Sequence, residues 1–375
     1  MTQSRLAVVA AALLLVVSTG AVGAVVPTQS VESTDGVPTH GESITSGVES
    51  GQALHAQQSS CSFPVEVTDA TGETVTIEEE PDSVVALGAS VAQTMWAIDA
   101  ESKVVGLPTG YTTAYLNGSQ NRTNVLGTSM NPIVENIVDL DPDVVLAANI
   151  IDEDDIETLR DNGLTVVHFE AANSLDDVVE KTRLTGELVG SCEGANAAAD
   201  EMESTIESVR EDANEGENPT VYYAMGGGYT AGPSTFIGDV IATAGGDNIA
   251  TAADIQTYGE ISEEVIAQEN PDWIVMPDGR QLRQSAAINA TTAVQNDQII
   301  RVNANFISQP GPRVTEPLGT LSTAFNPESE TGNATENDTA DASETTEAGD
   351  GFGPGFGPVA ALVALVSAGL LARRP

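Results

Sequence analysis

The chain has 375 residues, which is long enough for one large or two medium domains with cores of their own. It carries 56 acidic residues against 13 basic ones, a formal net charge of -43, so its surface repels nucleic-acid phosphates and anionic membrane faces. These values exclude a mini-protein that depends on disulfides and argue against nucleic acid as a partner.

The first residues predict export from the cytoplasm. Residues 1–24 contain one arginine, an apolar run from Leu6 to Val17 and small residues near Ala24, and this run is too short to cross a bilayer comfortably. We therefore interpret 1–24 as a signal peptide. Residues 25–60 are rich in Ser, Thr, Gln and Gly and contain few large apolar side chains, so we predict a disordered linker there.

Residues 61–172 predict an amino-terminal α/β lobe. The stretch FPVEVTDATGETVTI, from Phe63, alternates apolar and polar residues around Asp69 to Gly72, which indicates a β-hairpin. After it, strand-like runs alternate with helix-like segments, which favours a parallel sheet covered on both faces. The strand-like runs are VVALG, VVGLP, VVLAA and LTVVHFE.

A long helix is predicted for residues 173–215. Apolar residues recur there at helical spacing, SLDD at Ser174 is a capping signal, and ANEGENP ends the pattern. A helix from Ser174 to about Asp212 would reach roughly 55 Å, longer than one lobe. We therefore predict one continuous helix that bridges two lobes.

Residues 216–325 restart the alternation and predict a carboxy-terminal α/β lobe. Strand TVYYAM is followed by a glycine loop, Gly226 to Gly228, which is either a flexible turn or a place where backbone approaches a ligand. It is not a phosphate loop, because no Gly-Lys-Ser/Thr follows it. Further strand-like runs are WIVM and IIRVNA.

The tail predicts a surface anchor. Residues 326–352 form an acidic, Thr-rich stalk, and 353–375 combine an apolar run with a final arginine pair. This end resembles the archaeal Pro-Gly-Phe sorting signal, here Pro354, Gly355 and Phe356, which implies cleavage by an archaeosortase and attachment to a membrane lipid. A permanent transmembrane helix is the alternative. Either way the body is expected on the extracellular face of the cell membrane.

Other features fit an exported protein. The acidic excess is typical of proteins from salt-loving archaea, and Asn-x-Ser/Thr sequons suggest a glycoprotein. Cys61 and Cys192 are the only cysteines, so a single disulfide between them is compatible with export.

An ordered set of motifs resembles one family, the substrate-binding proteins of ABC importers for vitamin B12, iron siderophores and haem. The resemblance implies two α/β lobes joined by one long helix, a ligand cleft between the lobes, no enzymatic activity, no cofactor, and an ABC permease dimer with its ATPase as partners. It covers nearly all of residues 62–328. The motifs are VTDATGETVTI, PDSVVALGAS, DLDPDVVLAA, TAGPSTFIGDVIATAGGDNIA, EISEEVIAQENPDWIVM and PGPRVTEPLGTLSTAFNPE.

Two acids take a docking role through this resemblance. Cobalamin-binding members present one glutamate on each lobe to basic pockets of the permease, and Glu135 and Glu264 occupy those positions. Each stands seven residues before a proline, Pro142 or Pro271, in the repeated Pro-Asp step. The alternative is that each is one more acid on a very acidic surface.

The resemblance also implies a set of ligand-contact residues. Large flat ligands need aromatic walls and a few polar contacts. Two departures from the family pattern leave the ligand open: Phe306 stands where cobalamin binders tend to carry Trp, and Ser90 is followed by VAQT where Thr-Glu is common. Each candidate is alternatively a packing residue. The candidates are Ser90, Tyr111, Tyr115, Tyr229, Asn305, Phe306, Ile307, Ser308 and Gln309.

Other functions fit the sequence less well. A zinc or manganese binder needs several histidines, but His40 and His55 fall in the linker, and we interpret His168, like Trp273, as structural. No Gly-x-Ser-x-Gly elbow supports a hydrolase, so no catalytic residue is predicted. A surface adhesin leaves the two lobes unexplained. Cobalamin is the leading ligand, with an iron siderophore or haem as the alternative.

Overall fold

The structure is a computed structural model that describes residues 61–127, 129–213 and 218–327. The predicted signal peptide, linker and sorting signal, and nearly all of the stalk, lie outside the described residues. Among those that are described, no helix is long and apolar enough to cross a membrane.

The amino-terminal lobe contains a five-stranded parallel sheet. Its strand order is β5-β4-β3-β6-β7. The central strands β3 and β6 are buried along their whole length because helices cover both faces, which explains their unbroken Val, Ala and Leu runs. As predicted, β1 and β2 form an antiparallel hairpin. The bounds are β1 (Val65–Thr68), β2 (Thr74–Ile77), β3 (Val84–Leu87), α1 (Ala89–Ala97), β4 (Val104–Leu107), β5 (Thr123–Asn124), α2 (Val134–Leu140), β6 (Val144–Ala147), α3 (Glu153–Asp161) and β7 (Val166–His168).

Two helices, and not one, connect the lobes: α4 (Leu175–Val189) and α5 (Cys192–Ala213). The prediction of one continuous helix across 173–215 therefore needs correction. Gly190 has a φ of 77° and ends α4 in the left-handed conformation, and α5 packs back along α4 as a helical hairpin. The apolar spacing runs through this turn because both helices bury a face, and this continuity concealed the break.

Both helices of the hairpin reach from one lobe to the other. At the start of α4, the predicted Ser174 capping box forms with Asp177, and the Leu175 amide donates to the Asp239 carboxylate of the carboxy-terminal lobe at 2.8 Å. At its end, Lys103 of the amino-terminal lobe donates to the Val189 carbonyl at 2.7 Å. The lobes are thus joined by two helices, α4 and α5.

A disulfide attaches the beginning of the described chain to this hairpin. Cys61 is bonded to Cys192, the first residue of α5, with the two Cα atoms 5.5 Å apart. The bond closes a loop that contains the whole amino-terminal lobe, so it constrains the unfolded chain over 131 positions.

The carboxy-terminal lobe contains a four-stranded parallel sheet in the order β10-β8-β12-β13 and a small antiparallel pair, β9 with β11. Trp273, predicted to be structural, is half-buried and packs on Phe325, with ring centroids 6.1 Å apart. The bounds are β8 (Thr220–Tyr223), β9 (Tyr229–Ala231), α6 (Phe236–Thr243), β10 (Asp247–Asn248), β11 (Tyr258–Glu260), α7 (Glu263–Glu269), β12 (Trp273–Pro277), α8 (Ala286–Asn289), α9 (Thr292–Gln295), β13 (Ile299–Val302), α10 (Ala304–Ser308) and α11 (Thr315–Phe325).

The repeated Pro-Asp step has the same structure in both lobes. Helices α2 and α7 each have seven residues and end at a residue with left-handed backbone, Asp141 at a φ of 45° and Asn270 at 47°. A buried proline follows, and then an aspartate whose carboxylate accepts the backbone N–H at the start of the neighbouring strand. Asp143 accepts from Ser83 at 2.8 Å, and Asp272 from Thr220 at 2.9 Å. These bonds set where β3 and β8 begin.

The described chain ends at the amino edge of the second sheet, where its parallel strands begin. The Asn326 side chain donates to the Ala244 carbonyl at 3.1 Å, close to the start of β10. The body therefore continues into the stalk from this edge.

Candidate functional site

The carboxyl edges of the two parallel sheets meet between the lobes. The loop after β4 touches the segment after β13: Asn305 donates to the Tyr111 carbonyl at 3.3 Å, and Gln309 donates to the Thr112 carbonyl at 2.9 Å. Ligands of open α/β sheets bind outside the carboxyl ends of the strands. The junction of the two edges is therefore the candidate ligand site.

Four residues join the lobes there, and we call them the interlobe network: the buried Gln93 and Gln309, the half-buried Tyr115, and Arg313, whose side chain is 46% exposed. The Tyr115 hydroxyl donates to Gln309 Oε1 at 2.8 Å and accepts from Gln93 Nε2 at 2.9 Å. Gln93 Oε1 accepts the Arg313 backbone N–H at 2.9 Å. Gln93 is 1% exposed and Gln309 8%, so water cannot readily replace these bonds.

Aromatic packing reinforces the network. The rings of Tyr115 and Phe306 meet edge to face, with centroids 5.2 Å apart and planes at 79°. The Arg313 guanidinium lies 5.6 Å from the Tyr115 centroid and 5.3 Å from that of Phe306. Burial raises the pKa of Tyr115 by more than the Gln93 hydrogen bond and the Arg313 charge lower it, so the hydroxyl stays protonated and keeps donating.

The structure separates the predicted ligand residues into groups. Tyr115, Asn305, Phe306 and Gln309 come together at the interlobe junction, and Ser90 is half-buried in the first turn of α1 nearby. Tyr111 is 72% exposed and Tyr229 48%, so both offer free ring surface. Ser308 is exposed on α10.

One predicted contact needs correction. The Ile307 side chain is fully buried in the core of the carboxy-terminal lobe, where it packs among side chains of α4, α6 and α11. Helix α10 presents Phe306 to the other lobe, as its C-cap presents Gln309, and this orientation directs Ile307 inward. Ile307 therefore offers no surface to a ligand in this structure.

Exposed large apolar residues mark the site further. Three that the sequence analysis did not single out are Met130, Ile150 and Tyr258, which are 49%, 54% and 54% exposed. Met130 follows β5 and Ile150 follows β6, both at the carboxyl edge, while Tyr258 begins β11. Exposed apolar side chains gathered at one edge are typical of a ligand-binding surface. For Met130 and Ile150, the position after a strand was the available signal in the sequence.

The glycine loop supports an arginine. Gly226, Gly227 and Gly228 all have positive φ, and a β-carbon at position 228 would overlap the Arg283 guanidinium. Arg283 donates to the Gly227 carbonyl at 2.8 Å and pairs with Glu263 at 3.5 Å. The loop backbone is therefore closely approached by the Arg283 side chain, and its approach to a ligand stays a prediction.

The two predicted docking acids lie in matching places. Glu135 is the second residue of α2 and Glu264 the second of α7, and both are exposed. Each helix precedes a parallel strand and runs against it, so its first turn lies towards the carboxyl edge of its sheet. Each lobe thus presents one carboxylate on the side of the candidate site.

No candidate metal site accompanies this junction within the described residues. They contain no group of three or more His, Cys, Asp or Glu side chains that could hold a metal ion. His168, interpreted as structural, is 5% exposed at the end of β7, and its backbone N–H donates to Asp69 at 2.9 Å. A separate concavity of about 560 Å³ lies between the β1–β2 hairpin, β7 and α4, and its lining combines the rings of His168 and Phe169 with the charged side chains of Asp177, Glu180 and Lys181.

Comparisons with known proteins identify the family. A model described as "Periplasmic binding protein" matches residues 84–305, and one described as "PGF-CTERM motif" matches 353–374. A cobalamin-binding protein of Halobacterium salinarum is 38% identical over 349 residues, which cover 86% of this chain and 92% of that protein. The uncharacterized ABC transporter substrate-binding lipoprotein YvrC of Bacillus subtilis is 28% identical over 285 residues, covering 73% and 89%.

Solved structures share the fold. The periplasmic vitamin B12 binding protein BtuF of Vibrio cholerae matches with a TM-score of 0.56 and 20% identity, over 65% of this chain and 96% of that one. The periplasmic haem-binding protein RhuT from Roseiflexus matches with a TM-score of 0.58 and 22% identity, over 66% and 98%. The chain belongs to the periplasmic binding protein family: it is a non-enzymatic solute-binding protein that serves an ABC permease and its ATPase and is anchored through its carboxy terminus at the outer face of the cell membrane.

Proposed function

We propose that this chain binds cobalamin or a closely related corrinoid in the cleft between its lobes and delivers it to the permease. The observation that carries the proposal is the 38% identity to a cobalamin-binding protein over 92% of that protein's length. The site is compatible with it, because exposed Tyr111 and Tyr229 provide ring surface for a large flat ligand. An iron siderophore or haem is the alternative ligand of the same importer class.

Calorimetry on residues 61–327 in high salt tests the ligand. Cyanocobalamin should release or absorb heat in a one-to-one titration, whereas haem and a ferric hydroxamate should not. If only haem gives heat, the ligand assignment changes from a corrinoid to haem. If cyanocobalamin gives no heat, the corrinoid assignment is wrong. The folded state of each sample is checked by circular dichroism, so that an unfolded preparation is not mistaken for a negative result.

Glu135 and Glu264 are proposed to dock the loaded protein onto the permease. Two exposed carboxylates in matching positions on the two lobes fit a partner with two-fold symmetry and a basic pocket in each half. Changing both to Lys should leave ligand affinity unchanged and abolish uptake by whole cells. A matched control changes two exposed acids of α5, Glu207 and Glu211, to Lys and should not affect uptake; unchanged uptake in the first variant would remove the docking role.

Processing and modification complete the proposal. An archaeosortase is proposed to cleave the tail at the Pro354, Gly355 and Phe356 motif and transfer the new end to a lipid, in a salt-loving archaeon. Mass spectrometry of the membrane-extracted protein should show loss of the final apolar run. The sequon at Asn117 is exposed and accessible to a glycan.

A further inference from the structure

Acidic residues are absent from the segments that build the ligand site. The chain averages about one acid in seven residues, yet residues 104–134 contain none, and neither do 218–238 or 298–315. These segments supply the loops after β4, β5, β8 and β13. In a chain of net charge -43, their lack of acidic residues is a local exception at the site.

One segment of the carboxy-terminal lobe has a net positive charge. Residues 279–315 hold four arginines, Arg280, Arg283, Arg301 and Arg313, against a single acid, Asp297. The loop after β12 carries Arg280 and Arg283, and Asp278 precedes them. The positive charge is therefore concentrated beside the carboxyl edge of the second sheet.

The guanidinium groups of Arg283 and Arg313 have acidic partners within the protein, whereas that of Arg280 does not in the part of the chain that the structure describes. Arg283 is held by the Gly227 carbonyl and Glu263, and Arg313 pairs with Glu316 at 3.3 Å. Arg280 is exposed, and in the part of the chain that the structure describes its guanidinium forms no hydrogen bond or ion pair. Its Cδ lies 3.6 Å from where a β-carbon on Gly226 would stand, so the side chain lies along the glycine loop.

Two contacts hold this loop in place around Arg280. Arg301 donates to the Arg280 carbonyl at 3.0 Å, and Arg283 is bonded to the glycine loop on the other side. The backbone is thus fixed by its two arginine neighbours while the Arg280 head group remains available. Guanidinium groups bind phosphate and carboxylate oxygens in a bidentate geometry.

We propose that Arg280, with Arg283 behind it, binds an anionic oxygen group, a phosphodiester or a carboxylate, on the edge of the ligand held in the cleft. This inference rests on the proposed function, because it concerns the same cleft. Screening reduces the Debye length to about 3 Å in 1 M salt, so in high salt only a direct contact, and not a distant field, gives this selectivity. The site then selects for ligands that carry the anion.

Paired ligands test the contact. Cyanocobalamin carries a phosphodiester that cobinamide lacks, and haem carries propionates that its dimethyl ester lacks. The wild type should favour the anion-bearing member of whichever pair it binds, and Arg280→Gln should weaken binding of that member roughly ten- to hundredfold, the value of a charge-assisted hydrogen bond, while leaving binding of the member without the anionic group unchanged. The control Arg210→Gln removes the same charge from α5 and should change neither.

The outcomes separate the two proposals. Cyanocobalamin binding that Arg280→Gln leaves intact, or that it weakens equally for cobinamide, would overturn the anion contact while the corrinoid function stands. Haem binding with a preference that Arg280→Gln removes would overturn the corrinoid assignment while the anion contact stands. A folded wild type that binds no member of either pair would overturn both.

Discussion

Removing one side chain of the interlobe network should measurably loosen the junction between the lobes. Gln309→Leu keeps the volume of the side chain, so no cavity contributes. It removes four hydrogen bonds: from the Tyr115 hydroxyl at 2.8 Å, to the Thr112 carbonyl at 2.9 Å, to Asn305 Oδ1 at 3.2 Å and, the longest, from Gln93 Nε2 at 3.4 Å. With about 1 kcal/mol for each of the three shorter bonds and little from the longest, the free energy of unfolding should fall by about 3 kcal/mol.

Urea unfolding followed by circular dichroism in high salt measures this loss, with Gln268→Leu as the control. Gln268 is exposed on α7, so its replacement should change the free energy of unfolding by less than about 0.5 kcal/mol. The double variant Gln93→Leu/Gln309→Leu should lose less than the sum of the two single losses, since both glutamines contact Tyr115. A loss below about 1 kcal/mol for Gln309→Leu, or losses that add within about 0.5 kcal/mol, would refute the network as a coupled unit.

Three further predictions concern stability. Burial raises the pKa of Asp69, but hydrogen bonds from Thr71 and His168 and the Arg160 charge outweigh it and hold the pKa below its ordinary value. Acid titration should therefore destabilise the wild type below about pH 4 more steeply than it destabilises Asp69→Asn. At pH 7 the Asp69→Asn substitution should lower the free energy of unfolding by about 3 kcal/mol. Burial lowers the pKa of Lys181 to about 8, so the wild type should gain stability as the pH rises from about 8 to about 10.4, and Lys181→Met should show no such gain. Replacing both Cys61 and Cys192 with Ser should cost about 2–5 kcal/mol in chemical unfolding and remove any effect of reductant, and an equal stability with and without the disulfide would contradict its role.

The strands and most helices follow from local sequence, because buried parallel strands are short unbroken apolar runs and the helices between them are bounded by Gly, Pro and capping residues. The break in the hairpin was missed because Leu188, Cys192 and Ala195 continue the helical spacing through Gly190. The spacing of apolar residues indicates which face of a helix is buried, but it does not indicate whether the chain has reversed direction between two helices.

The site was only partly predictable for a related reason. Tyr111 and Tyr115 could be found because they follow a strand, but Gln93 lies mid-helix with no distinguishing neighbour. Its partner Gln309 is 216 positions away, and such a contact depends on how the lobes are placed. Arg280 could have been found from sequence alone by noting where a very acidic chain stops being acidic.

The exit of the chain at Asn326 has a consequence for how the protein works on its anchor. The chain leaves the body at the amino edge of the second sheet, whereas Glu135 and Glu264 start helices at the carboxyl edges, on the opposite side. For the proposed docking role of these two glutamates, the body has to turn over relative to its point of attachment to bring their carboxylates to a permease in the same membrane. About 26 residues separate Asn326 from the sorting signal, and at about 3.5 Å per residue they reach at most about 90 Å, several times the height of a parallel sheet. The number of residues in this segment therefore puts an upper limit on the distance between the anchor and a permease that the loaded protein can reach.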